Sequence, residues 1–200
     1  MPSPAAQRYA LAAERSQILR RATLGRRALR RPFEERQVYL QASLAAAVAA
    51  WEGYVIETVR GFFLAVADPL VPAFNALHTV TQHNAEIALK RFNTPNWENS
   101  RDLLARSTGY DPINDWVWPA RTMSGPQVRE RLNQILQVRH SFAHGFPMPP
   151  YPWTQLANGR VRLTNQALEY NEALFKNLVR RTDKGLQQHI QQAYGRMLPW

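Results

Sequence analysis

The chain has 200 residues, enough for one domain with a real core or for one domain with an appended segment. It contains no cysteine, which excludes disulfide frameworks and cysteine-based zinc sites and suits a reducing cytoplasm. A formal charge of +10 and a pI near 10.6 favour an anionic partner such as nucleic acid. Because 22 of the 25 basic residues are arginine, a GC-rich genome is an alternative source of that charge.

Neither a secretory signal nor a membrane span is predicted. Arg8, Glu14 and Arg15 interrupt the N-terminal stretch before the apolar run of a signal sequence can form. The longest apolar run, residues 44–51, is far too short to cross a bilayer. We therefore expect a soluble, cytoplasmic protein.

The first half of the chain predicts three helices. Residues 5–31 form an arginine-rich pattern that ends before Pro32. Its arginine pairs could track phosphates, or they could form a solvated face that meets acidic residues elsewhere. These pairs are Arg20–Arg21, Arg26–Arg27 and Arg30–Arg31. Residues 33–67 predict the longest helix, because apolar side chains recur there at spacings of three and four, and residues 70–91 predict a weaker one.

Three of the tryptophans are predicted to be core residues. Trp51 and Tyr54 lie on the long second helix and are expected to pack inside rather than to form a stacking platform. Residues 93–125 form an irregular insertion with one short helix over residues 97–106. Within that insertion, Trp116 and Trp118 are expected to plug the side of a helical bundle.

Residues 127–145 carry the strongest amphipathic pattern of the chain. Arg139 follows Ile135 by four residues and is therefore predicted to lie on the apolar face. A guanidinium cannot lose its charge, so it has to meet an anion or hydrogen-bond acceptors wherever it is desolvated. Gly145 is placed as the cap that ends this helix. The apolar positions of the pattern are Val128, Leu132, Ile135, Phe142 and Phe146.

The last third begins with an extended segment and ends in a helix. Four prolines in residues 146–153 exclude a helix there and predict a stiff connector. Asn158–Gly159 favours a small hairpin within residues 155–163, and Thr164 is placed as the cap of a helix that reaches residue 194. The whole pattern predicts a single all-α domain over residues 1–200, a bundle of five or six helices with a loop-rich insertion at 93–125 and a Pro-rich connector at 146–163.

Arg139 and His144 could cleave RNA without a metal. A histidine can take or give a proton, an arginine can stabilise charge on a phosphoryl group, and the 2′-hydroxyl of RNA is an internal nucleophile. In an ideal helix, however, five residues turn through about 500°, which leaves the two side chains about 140° apart. Either the last turn unwinds near Gly145, or a second copy supplies the complementary group. The structural alternative is a salt bridge from Arg139 to a core glutamate, with His144 at the negative end of the helix dipole.

His140 and His144 are four residues apart, as in zinc-binding helices. The residue after His140 is Ser141 rather than the glutamate of that motif, and no third ligand is apparent. The sequence therefore predicts neither a metal site nor a cofactor. The nine glycines are scattered and form no phosphate-binding loop.

The segment RHSFAHG at residues 139–145 resembles the R-x4-6-H motif of HEPN domains. In that family the residue after the arginine is frequently Asn, Asp or His, which His140 fits. The WEGY stretch at residues 51–54 is similar to the RiboL-PSP branch of the superfamily, which is often found in bacterial defence and toxin loci. The Pro-rich segment and the stretch around Trp116 match no pattern of the family.

The resemblance implies a HEPN-like bundle that dimerises and brings two copies of the motif into one cleft at a two-fold interface. It also implies endoribonuclease activity without a metal, leaving a 2′,3′-cyclic phosphate and a 5′-hydroxyl. Arg139 would orient and neutralise the scissile phosphate, and His144 would act as general base or acid. His140 would contact the phosphate or position the other two groups. Glu52 would orient Arg139, unless it is a solvated helix carboxylate.

The partners that follow from the resemblance are RNA, a second copy of the chain, and an antitoxin or other defence protein. One alternative is a non-catalytic HEPN module that binds RNA, a nucleotide or a protein partner. Another is a purely structural dimerisation subunit, for which replacing Arg139 would change neither RNA binding nor cleavage.

Overall fold

Six α-helices make up the regular structure in the computed structural model, which describes residues 1–24, 32–68 and 70–197. In chain order they are α1 (Pro4–Arg21), α2 (Phe33–Val66), α3 (Pro72–Arg91), α4 (Trp97–Thr108), α5 (Gly125–Ala143) and α6 (Asn165–Tyr194). Two short 3-10 turns, Pro112–Asn114 and Pro119–Arg121, lie between α4 and α5. The described ranges contain no β-strand, which confirms the prediction of an all-α bundle of five or six helices.

Capping side chains fix where α4, α5 and α6 begin. The Thr164 hydroxyl accepts a hydrogen bond from the N–H of Ala167 at 3.1 Å, as the sequence predicts for the start of α6. At the start of α5, the N–H of Ser124 donates to the Gln127 side chain at 2.8 Å. Asn96 caps α4. These bonds satisfy N–H groups that the helices cannot satisfy themselves.

The first helix is shorter than the sequence predicts. α1 ends at Arg21 and residues 22–24 do not continue it, so the prediction of one helix over residues 5–31 is wrong at its C-terminal end. Arg26–Arg27 and Arg30–Arg31 lie outside the described residues. Arg20 is buried and forms ion pairs with Glu169 at 2.5 Å and with Glu172 at 3.3 Å. This arginine therefore joins α1 to α6 and is not a free phosphate ligand.

Four aromatic rings form the centre of the core. The Trp51 ring lies 5.6 Å from that of Tyr54 and 6.0 Å from those of Trp116 and Phe175, measured between centroids. The indole N–H of Trp116 donates to the hydroxyl of Thr182 at 2.9 Å, so its only polar atom is satisfied. Because Trp51, Tyr54 and Trp116 are all buried, their prediction as core residues is confirmed.

A glycine lets the irregular insertion pack closely on α6. The Tyr110 hydroxyl donates to the Asp115 carboxylate at 2.6 Å within that insertion. A Cβ atom on Gly185 would overlap both of these groups. Residue 185 is therefore restricted to glycine by close approach rather than by its backbone angles.

The Pro-rich connector lies against α5. The indole N–H of Trp153 donates to the Gln134 side chain at 3.0 Å, and the Arg131 guanidinium lies 4.2 Å from the Trp153 ring centroid. Within the connector, the predicted hairpin is reduced to one isolated antiparallel bridge between Gln155 and Val161. No described helix is long and apolar enough to cross a membrane.

Candidate active site at the end of α5

The end of α5 is closed by a glycine turn. Gly145 has φ = 71°, a left-handed conformation that glycine adopts without strain. The N–H of Phe146 then donates to the carbonyl of Ser141 at 2.7 Å, and the N–H of His144 donates to that of His140 at 3.1 Å. The bond from Phe146 to Ser141 is the six-residue bond typical of a helix that ends at a left-handed glycine, so the predicted C-terminal cap is confirmed.

The two histidines of the motif lie together on the exposed side of this helix end. The ring centroids of His140 and His144 are 4.2 Å apart, and the planes of the rings make an angle of 43°. Phe146, which is 60% exposed, lies 6.1 Å from each histidine ring. We call these three residues the histidine cluster. It places two groups that can exchange protons beside an exposed aromatic ring, within reach of a bound ligand.

Arg139 lies at the edge of the buried side of α5. The residue is partly buried, whereas Phe142 is less well packed than predicted and Phe146 is exposed. Val138 and Arg139 follow Ile135 by three and four residues, so they lie on opposite sides of the stripe that α5 buries. Val138 is buried in the core, and Arg139 therefore lies toward the edge. The prediction that the apolar face continues to Phe146 is therefore wrong, whereas Phe142 is partly buried and packs against the core.

Glu52 of α2 faces Arg139 across the packed pair of helices. Partial burial raises the pKa of the Glu52 carboxyl, and the nearby positive charge of Arg139 offsets part of that rise. The two side chains form no ion pair within 4.0 Å in the described structure. Arg139 is therefore close enough to stabilise the Glu52 carboxylate, yet its guanidinium forms no close salt bridge with that carboxylate.

Arg139 and the histidine cluster do not converge within one copy of the chain. α5 stays helical through Ala143, so the last turn does not unwind before His144. In the described structure, no hydrogen bond, ion pair or ring contact joins Arg139 to His140 or to His144. One copy thus presents two separate parts on neighbouring sides of α5, the histidine cluster and the Arg139–Glu52 pair.

A three-ligand metal site is not formed around these histidines. Among the described residues, no three His, Cys, Asp or Glu side chains lie close enough together to hold a metal ion. His140 and His144 remain a pair, and the third member of their cluster is Phe146 rather than a ligand. The amphipathic pattern of residues 127–145 does not place Phe146 at the site. The left-handed turn at Gly145 is the signal that could have done so, because it turns the chain back toward the helix end.

A family model described as RiboL-PSP-HEPN matches residues 13–188. The matched range includes Glu52, Arg139 and all three residues of the histidine cluster. No curated protein matches the chain, and no solved structure matches it.

Proposed function

The chain belongs to the RiboL-PSP-HEPN family, and we propose that it is a metal-independent endoribonuclease whose site is built from Arg139, His140 and His144. The observation that carries the proposal is the pair of exposed histidine rings at 4.2 Å, with Arg139 on the neighbouring side of the same helix end. These are an acid–base pair and a charge-stabilising group, which are the components that cleavage by an internal 2′-hydroxyl requires.

In the proposed reaction, one histidine removes the proton of the 2′-hydroxyl, and that oxygen forms a bond to phosphorus. The bond from phosphorus to the 5′-oxygen breaks, and a protonated histidine donates a proton to this leaving oxygen. The products are a 2′,3′-cyclic phosphate and a 5′-hydroxyl. Arg139 stabilises the negative charge on the non-bridging oxygens as the phosphorus becomes five-coordinate.

The proposed site is shared by two copies of the chain. In an in-line displacement, the attacking and leaving oxygens lie on opposite sides of phosphorus. The rings of His140 and His144 in one copy lie side by side and can serve only one of these two oxygens at a time. A second copy related by a two-fold axis would bring its own histidine cluster and Arg139 to the opposite side of the phosphate.

Glu52 is proposed as a positioning residue for Arg139. Its carboxylate interacts with Arg139 without forming a close ion pair, so it can limit the directions that the guanidinium takes. The formal charge of +10 supports binding of RNA. A role in bacterial defence, as a toxin neutralised by a partner protein, is the biological setting that we propose for this activity.

The experiment is cleavage of RNA by the purified protein in the presence of a chelator, followed by analysis of the product ends. We expect 2′,3′-cyclic phosphates and 5′-hydroxyls. Products with 5′-phosphates, or activity that disappears with chelation, would contradict the mechanism.

A second candidate is a non-catalytic HEPN module that binds RNA, a nucleotide or a protein. It is favoured by the separation of Arg139 from the histidine cluster within one copy. For an RNA-binding module, affinity falls steeply with salt while the RNA stays intact after long incubation.

A further inference from the structure

A cavity of about 170 Å³ lies where the beginning of α2 meets the chain that enters α6. Gln37 of α2 ties these two segments together, because its side chain accepts a hydrogen bond from the N–H of Leu163 and donates one to the Leu163 carbonyl, each at 3.0 Å. The cavity shares no residue with the histidine cluster or with the Arg139–Glu52 pair. It is therefore a separate feature of the fold.

Two arginines line this cavity with unpaired donors. The Nε atoms of Arg36 and Arg162 are both shielded from solvent, and neither has a hydrogen-bond partner. No aspartate or glutamate is found among the described residues that line the cavity. The guanidinium of Arg162 lies 5.6 Å from the centroid of the Phe33 ring, which supports it from one side without neutralising it.

Unpaired, shielded guanidinium donors are rare in folded proteins because burying them without an acceptor costs free energy. Two of them at one cavity also repel each other. Replacing the two arginines with neutral side chains would remove both the cost of the unpaired donors and the charge repulsion. An anion that accepts hydrogen bonds from both arginines would offset them as well, and it would do so most effectively with two negative charges.

The start of α6 adds to the positive potential at this cavity. Thr164 and Asn165 are lining residues, and they form the N-terminal end of a 30-residue helix. Thr164 caps only the N–H of Ala167. The N-terminal end of a helix carries partial positive charge and free N–H groups, both of which favour a bound anion.

We propose that this cavity binds a phosphate monoester group, through the guanidinium groups of Arg36 and Arg162. An arginine can offer two N–H donors in a fork that matches two phosphate oxygens. The cavity has the volume of roughly six water molecules, so it accommodates a phosphate group while a nucleoside attached to it extends outside. The same chemistry is offered by inorganic phosphate, by a nucleoside monophosphate and by the 5′-phosphorylated end of an RNA.

The test is isothermal titration calorimetry of the full chain at constant ionic strength. The ligands are inorganic phosphate, adenosine monophosphate, and a DNA oligonucleotide with either a 5′-phosphate or a 5′-hydroxyl, since DNA cannot be cleaved by 2′-hydroxyl attack. We expect saturable phosphate binding that is at least tenfold weaker in Arg36→Gln and in Arg162→Gln. The ligand with the highest affinity identifies the source of the phosphate group.

Arg91→Gln is the matched control, because Arg91 is an exposed arginine at the end of α3 and does not line the cavity. Absence of saturable phosphate binding to the parent would overturn the proposal. So would unchanged affinity in both cavity variants, or an equal loss in Arg91→Gln. Arg162→Lys keeps the positive charge but removes the paired N–H donors of the guanidinium. We expect this variant to bind phosphate more weakly than the parent. If either glutamine variant fails to fold, a parent melting temperature that does not rise with phosphate would overturn the proposal on its own.

This binding does not depend on RNA cleavage. Phosphate affinity that is lost in Arg36→Gln while the parent cuts no RNA would support the cavity and count against the proposed nuclease. Cleavage without phosphate binding would do the reverse.

Discussion

The rings of His140 and His144 lie with their centroids 4.2 Å apart at the exposed end of α5. Arg139 lies on a different side of the same helix, beside Glu52, and does not contact either ring in the described structure. The three motif residues therefore form two parts, and each part can be changed separately.

Replacing His144 tests the acid–base part. We expect His144→Ala to lower the cleavage rate by about 10²- to 10⁴-fold, which is the usual contribution of a positioned proton-transfer group. Because its side chain is exposed, the stability of the fold should hardly change. The measurement is single-turnover cleavage of a short RNA with chelator present. His83→Ala, which removes an exposed histidine from α3, is the control and should cleave like the parent.

Replacing Arg139 tests the charge-stabilising part and its link to Glu52. Arg139→Gln should lower cleavage by about 10²- to 10³-fold if the guanidinium stabilises the developing charge on phosphate. The same change should raise the pKa of Glu52 further, because the positive charge that partly offsets its burial is lost. NMR titration of the Glu52 carboxyl measures this second effect. An unchanged titration would show that the two residues do not interact in solution.

Glu52 should make a pH-dependent contribution to stability. Burial raises its pKa in the folded state, so ionising this carboxyl costs stability at a pH above its folded pKa. The cost is absent at a pH below the pKa of the unfolded chain, where the group is protonated in both states. We therefore expect Glu52→Gln to be at least as stable as the parent at pH 7, with the difference vanishing at acidic pH. Urea unfolding at both pH values measures it, and a variant less stable at pH 7 would contradict this account.

Glu52→Gln should also separate stability from activity. If Glu52 positions Arg139, the variant should lose cleavage while its fold is intact, since the neutral amide holds the guanidinium less strongly. If Glu52 is only a partly buried helix residue, cleavage should be unchanged. Single-turnover rates of this variant, compared with those of Arg139→Gln, distinguish the two roles.

We expect any side chain at Gly185 of α6 to destabilise the fold. Its added Cβ would overlap the hydroxyl of Tyr110 and the carboxylate of Asp115, so Gly185→Ala should destabilise the fold by about 1–3 kcal/mol. Gly61→Ala in α2 is the control, because no atom outside the local helix backbone lies within 4 Å of the new Cβ. That control should stabilise by roughly 0.5–1 kcal/mol. Thermal unfolding of both variants measures the contrast.

Most helices of the fold could be predicted because their ends carry local chemical signals. Ser124 and Thr164 cap α5 and α6 through bonds to residues three positions away, and Gly145 closes α5. These interactions depend on neighbouring residues only, so the sequence displays them directly. The burial of Trp116 could also be predicted, because a large aromatic side chain has few other places in a small bundle.

The end of α1 and the face of Arg139 depend on distant residues and could not be predicted. α1 buries Ser16 and Arg20, which bind Glu169 and Glu172 of α6, and leaves Leu11 67% exposed. A hydrophobic pattern cannot reveal a polar contact surface of this kind. The cavity beside Arg36 and Arg162 likewise joins residues more than a hundred positions apart.

In the proposed enzyme two copies of the chain share one site, and Arg139 of one copy can act with His144 of the other. Co-expression of Arg139→Gln with His144→Ala, each inactive alone, tests this claim most directly. Random pairing makes half of the dimers mixed. The shared site of a mixed dimer keeps one Arg139 and one His144, contributed by different copies, whereas the dimer of either variant alone lacks one of these residues entirely, so we expect the mixture to cleave RNA faster than either variant alone. A mixture as inactive as either variant, although mixed dimers are recovered, would contradict the shared site.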